Sequence, residues 1–163
     1  MEAGKDMVNS FNDYSTRLKQ SQDGTFSQTK LSIDKINLLA NELASVNNRL
    51  KSSGATKTAN DLLDTRDLLL ETLSKEIEFT TSYGDRGDVT LRLGNSGQGP
   101  ILVSPNKAFN LRAKVTENSD FRYAFEQTVN NISIFIVEGT NETSTTQITG
   151  GKIAGLVNYY AYV

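Results

Sequence analysis

Across residues 2–53 almost nothing interrupts a helix except Gly24, and apolar or small side chains recur four and three residues apart. The series runs Met7, Phe11, Tyr14, Leu18, Ser21, Thr25, Thr29, Ser32, Ile36, Leu39, Leu43, Val46, Leu50. That alternation is the seam of a coiled coil with a polar middle. As one helix the segment would reach roughly 75–80 Å at 1.5 Å per residue. Gly24 leaves a second reading open, in which Ser21-Gln22-Asp23-Gly24 turns the chain between two antiparallel helices. The seam keeps its phase between Leu18 and Ile36, which favours the single rod, because a turn has no reason to preserve it.

Ser52-Ser53-Gly54-Ala55 ends this helix, and residues 59–76 carry a second. Thr58 is placed to N-cap it, with Asp61 three residues on as the acidic partner of a capping box. Asp61 and Asp64 would set negative charge near the positive end of the helix dipole, with Asn60 beside them at the helix start. Leu62, Leu63, Arg66, Leu69, Leu70, Leu73 and Ile77 recur at helical spacing, so one face seeks a partner. About 18 helical residues span roughly 27 Å, enough to cover only about a third of the long stripe. The remainder is expected to have no partner inside the chain, which marks it as an interaction surface or a cut edge. Met7, Phe11, Tyr14, Leu18, Ile36, Leu39, Leu43, Val46 and Leu50, with Leu62 and Leu69 opposite, are the expected packing and assembly positions.

After Ser74 the period changes to two. Ile77, Phe79 and Thr81 alternate with polar residues, as do Val89, Leu91 and Leu93, across the turn Tyr83–Asp88. This pattern predicts a β-hairpin with one buried face. Further strands are expected at Ile101–Val103, Phe109–Val115, Phe121–Val129 and Ile132–Val137, and a polar loop at Gly139–Thr146. From Gly150 the chain looks like the start of another helix. The fold class is therefore α+β: a long coiled-coil-like helix, a shorter antiparallel helix, then a mostly antiparallel β region. Residues 1–76, completed by 150–163, form the rod-like helical part, and 77–149 the β-rich part.

Composition narrows function by what is missing. Of 163 residues none is Cys, His or Trp, which removes the usual zinc, iron and copper ligands, the thiol nucleophile and the common neutral-pH base. A carboxylate-dependent hydrolase remains as an alternative. With 17 basic and 19 acidic residues the net charge is −2, so no basic excess points to nucleic acid or an anionic membrane. No apolar run is long enough to cross a bilayer, and Met1-Glu2-Ala3-Gly4-Lys5 does not open a signal peptide. Export, if it occurs, is expected to use a route without a cleaved leader.

The remaining motifs have plain structural readings. Asp61, Asp64 and Asp67 read as a solvated helix start, because hard cations want six or more oxygens from converging segments. Arg66 either pairs with a neighbouring carboxylate or packs its stem on the hairpin. Arg86-Gly87-Asp88 supplies turn geometry before anything else. The sequons at Asn131 and Asn141 carry little weight, and Lys152 among glycines lacks the order of a phosphate loop. No cofactor, metal or small-molecule substrate is implied.

Three segments carry a family resemblance. Residues Ile33 to Leu50 repeat an Ile-Asn, Ile-Ala, Leu-Asn rhythm; Ala59-Asn60-Asp61-Leu62-Leu63-Asp64-Thr65-Arg66-Asp67 is close to an Asn-Asp-Leu-Leu-Asp-x-Arg-Asp signature; Gly150-Gly151-Lys152-Ile153-Ala154-Gly155-Leu156 is similar to a Gly-Gly-x-Leu-Gly-Gly-Leu segment. In order and spacing these resemble the family of flagellar hook-associated protein 1, the junction proteins between hook and filament. The resemblance implies an internal fragment of a secreted, extracellular structural protein of the bacterial flagellum. Its partners would be copies of itself and neighbouring axial proteins, and a helix beyond the C-terminal end would cover the unpaired stripe. The strands of Phe121 to Val137 depart most from the family pattern. Another secreted axial protein or a phage-tail component is the structural alternative.

Overall fold

The structure, a computed structural model, describes residues 2–53, 57–120 and 127–162. Helix α1 (Glu2–Ser53, 52 residues) runs unbroken through Gly24, so the chain does not turn at Ser21–Gly24. Gly24 lies on an exposed side, while Thr25 and Thr29 beside it are buried in the seam. Their hydroxyls bond back to the carbonyls of Ser21 (2.8 Å) and Thr25 (2.9 Å). Packing along that face offsets the roughly 1 kcal/mol that an interior glycine costs.

Helix α2 (Lys57–Glu76) is antiparallel to α1: Ala59 and Leu63 share a cavity with Leu50, whereas Glu76 reaches Ser32. A third helix, α3 (Gly151–Tyr162), starts against the end of α2 and continues along α1 toward its N-terminus, where the Tyr159 hydroxyl lies 3.3 Å from the Ser21 hydroxyl. The stripe beyond α2 is therefore not wholly without a partner in this chain. The two shorter helices lie end to end and clad α1 from about Leu50 to Ser21. Residues 4–20 stay exposed throughout.

Two antiparallel sheets pack on this helical frame. The first is β1 (Phe79–Tyr83), β2 (Val89–Leu93), β3 (Ile101–Ser104) and β4 (Lys107–Ala108), in that order. Phe79 pairs with Leu93 and Tyr83 with Val89, the hairpin that the alternation predicts, and Val89, Leu91 and Leu93 are fully buried. The second sheet is β5 (Asn110–Asp120), β6 (Gln127–Glu138) and β7 (Asn141–Thr145). Residues 121–126 of the expected strand Phe121–Val129 lie outside the described residues. The expected loop at Gly139–Thr146 is corrected: Asn141 to Thr145 pair with Glu138 to Ile134 as an edge strand. Its residues have no apolar alternation, and the ladder with β6 decides their conformation.

One core runs through the helices and both sheets, with Ile36, Leu43, Leu73, Ile77, Leu91 and Ile153 fully buried. The fold is α+β.

A candidate assembly surface and the elements that aim it

The seam divides into a buried and a bare portion. Ile36, Leu39, Leu43, Val46 and Leu50 are buried, as are Leu62 and Leu69 of α2. Met7, Phe11, Tyr14 and Leu18 are exposed, Met7 and Phe11 at 76%. The spacing that places all nine α1 positions on one face is the same; only the presence of a covering helix differs. Because α2 holds to α1 through Leu62 and Leu69, Leu62→Ala or Leu69→Ala should each lower unfolding free energy by about 2–3 kcal/mol. A denaturant titration showing under 0.5 kcal/mol would refute that packing.

The start of α2 differs from expectation. The helix already includes Lys57, so Thr58 lies inside it instead of capping it, and no acidic residue falls in its first turn. Asp61 is the fifth helical residue, beyond the turn where the dipole is felt. Asn60, Asp61, Asp64 and Asp67 are exposed. The Asp61 carbonyl accepts from the Thr65 hydroxyl at 2.8 Å, and Asp67 takes the Arg66 guanidinium at 2.7 Å. Among the described residues no group of three or more acidic side chains is placed to hold a metal ion.

Arg66 is where this segment does its positioning. Its guanidinium donates to the Gly87 carbonyl at 2.6 Å and lies over the Tyr83 ring at 5.1 Å, so α2 grips both ends of the β1–β2 turn. Gly87 has φ +81°, and a Cβ there would sit 2.7 Å from Leu63 Cδ2. Asp88 is buried. The Arg86-Gly87-Asp88 tripeptide is thus built into the turn, with Arg86 exposed and Asp88 turned inward.

Two asparagines of α1 that sequence reasoning did not single out fasten the sheets. Asn47, fully buried, donates to the Val89 carbonyl (2.8 Å) and accepts from the Val89 amide (2.9 Å). Asn37 does the same for Leu111 of β5, at 3.0 and 2.7 Å. Each side-chain amide imitates one residue of a neighbouring strand. The available signal was positional: Asn47 falls four residues after Leu43 and three before Leu50, on the buried stripe, where an amide must find partners.

At the junction of the three helices Glu76 is buried, its carboxylate accepting from Ser32 Oγ (2.8 Å) and Lys35 Nζ (2.7 Å). Burial pushes its pKa up, but those bonds and the charges of Lys35 and Lys152 outweigh it and hold the carboxyl below its ordinary value. Burial, with the Asp23 carboxylate nearby, raises the Tyr160 phenol on α3.

The architecture is thus a long helix clad over half its length, bare at one end and clamped to two small sheets. The model of the flagellar hook-associated protein FlgK helical domain matches residues 1–163, and the chain belongs to that family. The fold is similar to that of the flagellar hook junction protein FlgK from Burkholderia pseudomallei, with TM-score 0.66 and 21% identity over 88% of this chain. The match spans 25% of that protein's chain. No curated protein matches at the level of sequence.

Proposed function

We propose that this chain is a structural part of the bacterial flagellum, an adapter segment that helps join hook to filament. The observation that carries the reading is the bare seam. Met7, Phe11, Tyr14 and Leu18 continue, in phase, a stripe that α2 and α3 bury further along the same helix. An exposed apolar stripe that continues a buried one marks a surface for another helix to cover. In an assembled flagellum the cover would be helical chain from the same subunit or from neighbouring axial subunits, and the site of action would be extracellular. The helical part, residues 1–76 with 150–163, would carry the subunit contacts. The β-rich part, 77–149, would be held at a set angle by Arg66, Asn37 and Asn47.

The test replaces Phe11 and Leu18 by Glu together. Both are exposed in the isolated chain, so its thermal unfolding midpoint should stay within about 1–2 °C of the parent. In a flagellated cell carrying the double variant, hooks should form while attached filaments fall well below normal. Normal filaments on cells making full amounts of the variant would refute the assembly role of the seam.

A further inference from the structure

We propose that β7 is an edge guard, clasped by Glu142 over the outer edge of β6, and that its release lets β6 pair with β6 of a second copy of this chain. This inference stands apart from the flagellar assignment and rests on the second sheet alone.

On one side β6 is paired with β5 from Gln127, opposite Asp120, to Val137, opposite Asn110. On its other side β7 covers only Ile134 to Glu138. The covered stretch overlaps Ile132-Ser133-Ile134-Phe135-Ile136-Val137, a run rich in β-branched and aromatic side chains, with no charge, proline or glycine. On an open edge such a run is a template for another strand. The run is also self-complementary. An antiparallel pairing of two copies centred on Ile134 sets Ile132 opposite Ile136 and Ser133 opposite Phe135. All the isoleucines then share one face, the face on which Ile132 and Ile134 are already buried. A two-fold contact of this kind needs no partner but the chain itself.

Strand β7 has little of its own to keep it in place. Asn141-Glu142-Thr143-Ser144-Thr145 contains no apolar residue, and Asn141, Thr143 and Ser144 are exposed. The register sets Glu142 opposite Val137, on the face that also carries Phe135 of β6 and Arg112 and Lys114 of β5. From there its carboxylate reaches across β6. One oxygen accepts from Arg112 Nη1 at 2.5 Å, and the other accepts from Lys114 Nζ. The Lys114 ammonium also lies over the Phe135 ring, 5.2 Å from its centre. The other acid of this hairpin, Glu138, points to the opposite face and pairs with Lys107 at 3.1 Å. A lone exposed ion pair contributes little, but here one carboxylate, 21% exposed, is shared by two cations. The strand it holds has no core contacts to fall back on, so its opening is a local event. While β7 is seated, strand pairing between copies is closed and association is left to the helices.

The experiment uses the whole 163-residue chain with Phe11→Glu and Leu18→Glu in place, so that the bare seam cannot drive association. Amide hydrogen exchange compares this chain with the same chain carrying Glu142→Gln. Amides of β7 should exchange about twofold to thirtyfold faster, as loss of two ion pairs implies, while those of β5 and the helices are unchanged. Arg112→Gln with Lys114→Gln removes the clasp from the other side and should release β7 to a similar extent. On concentration, the chain with Glu142 intact should sediment as a monomer and the Glu142→Gln chain should associate. NMR of mixed labelled and unlabelled Glu142→Gln chains should place the new contact at Ile132–Ile136. Unchanged β7 exchange in Glu142→Gln, or faster exchange spread through every element, would overturn the guard. So would a released β7 in a chain that stays monomeric, or a contact between copies that lies away from β6.

Discussion

Asn47→Ala is expected to lower the stability of this chain by about 3–5 kcal/mol, more than truncating either leucine of the α1–α2 contact. The reason lies in how the first sheet ends. Leu91 pairs with Val103, and continuing that register places Val89 opposite Pro105, just past the end of β3. Proline has no amide hydrogen to give. Asn47 stands in, bonding both the carbonyl and the amide of Val89, with a third, longer contact to the Ser104 carbonyl at 3.4 Å. Truncation leaves two buried main-chain groups without partners, each costing about 1–3 kcal/mol. Asn47→Leu should do little better, since it restores volume but neither bond. Urea titrations of the two variants and the parent provide the check. A loss below 1 kcal/mol for Asn47→Ala would show that water or a backbone shift replaces the amide.

Gly151→Ala should cost about 2–5 kcal/mol, whereas Gly155→Ala in the same glycine-rich segment should cost nothing and add about 0.5–1 kcal/mol. Gly151 has φ +79°, and a Cβ there would lie 2.6 Å from the Ile77 amide nitrogen and 2.7 Å from the Glu76 carbonyl oxygen. Both the left-handed backbone and the forced separation of α3 from the α2–β1 junction are unfavourable, by about 1–3 kcal/mol each. At Gly155, within α3, nothing lies within 4 Å of the same position. Thermal unfolding of the pair reads the contrast directly. Equal midpoints would mean that α3 is not seated on Glu76 and Ile77 as described.

Much of this architecture is legible in the sequence. The seam from Met7 to Leu50, the leucines of α2, the alternation of Val89, Leu91 and Leu93, and the glycines opening α3 are each a local pattern. Local patterns suffice to name a helix or a strand because side-chain direction repeats every 3.6 or 2 residues. The candidate surface was half legible. Leu18 and Ile36 follow the same rule in the sequence, yet one is exposed and the other buried, since burial depends on where α2 and α3 end along α1. Asn141 to Thr145 became a strand for the same reason, having no pattern of their own and a partner in β6. Thr58 had the right residue type for a cap and the wrong position, because the helix begins before it.

By itself the sequence determined the apolar seam, the α+β class and the absence of Cys and His side chains, and it left a turn at Gly24 open. These follow from composition and from periodicities that act within a few residues. Tertiary structure alone decided that α3 succeeds α2 along the seam, that Asn37 and Asn47 serve as strand mimics, and that the buried Glu76 meets Ser32 and Lys35. Those outcomes join residues 41 to 138 positions apart, where no repeat in the chain can signal which groups will meet.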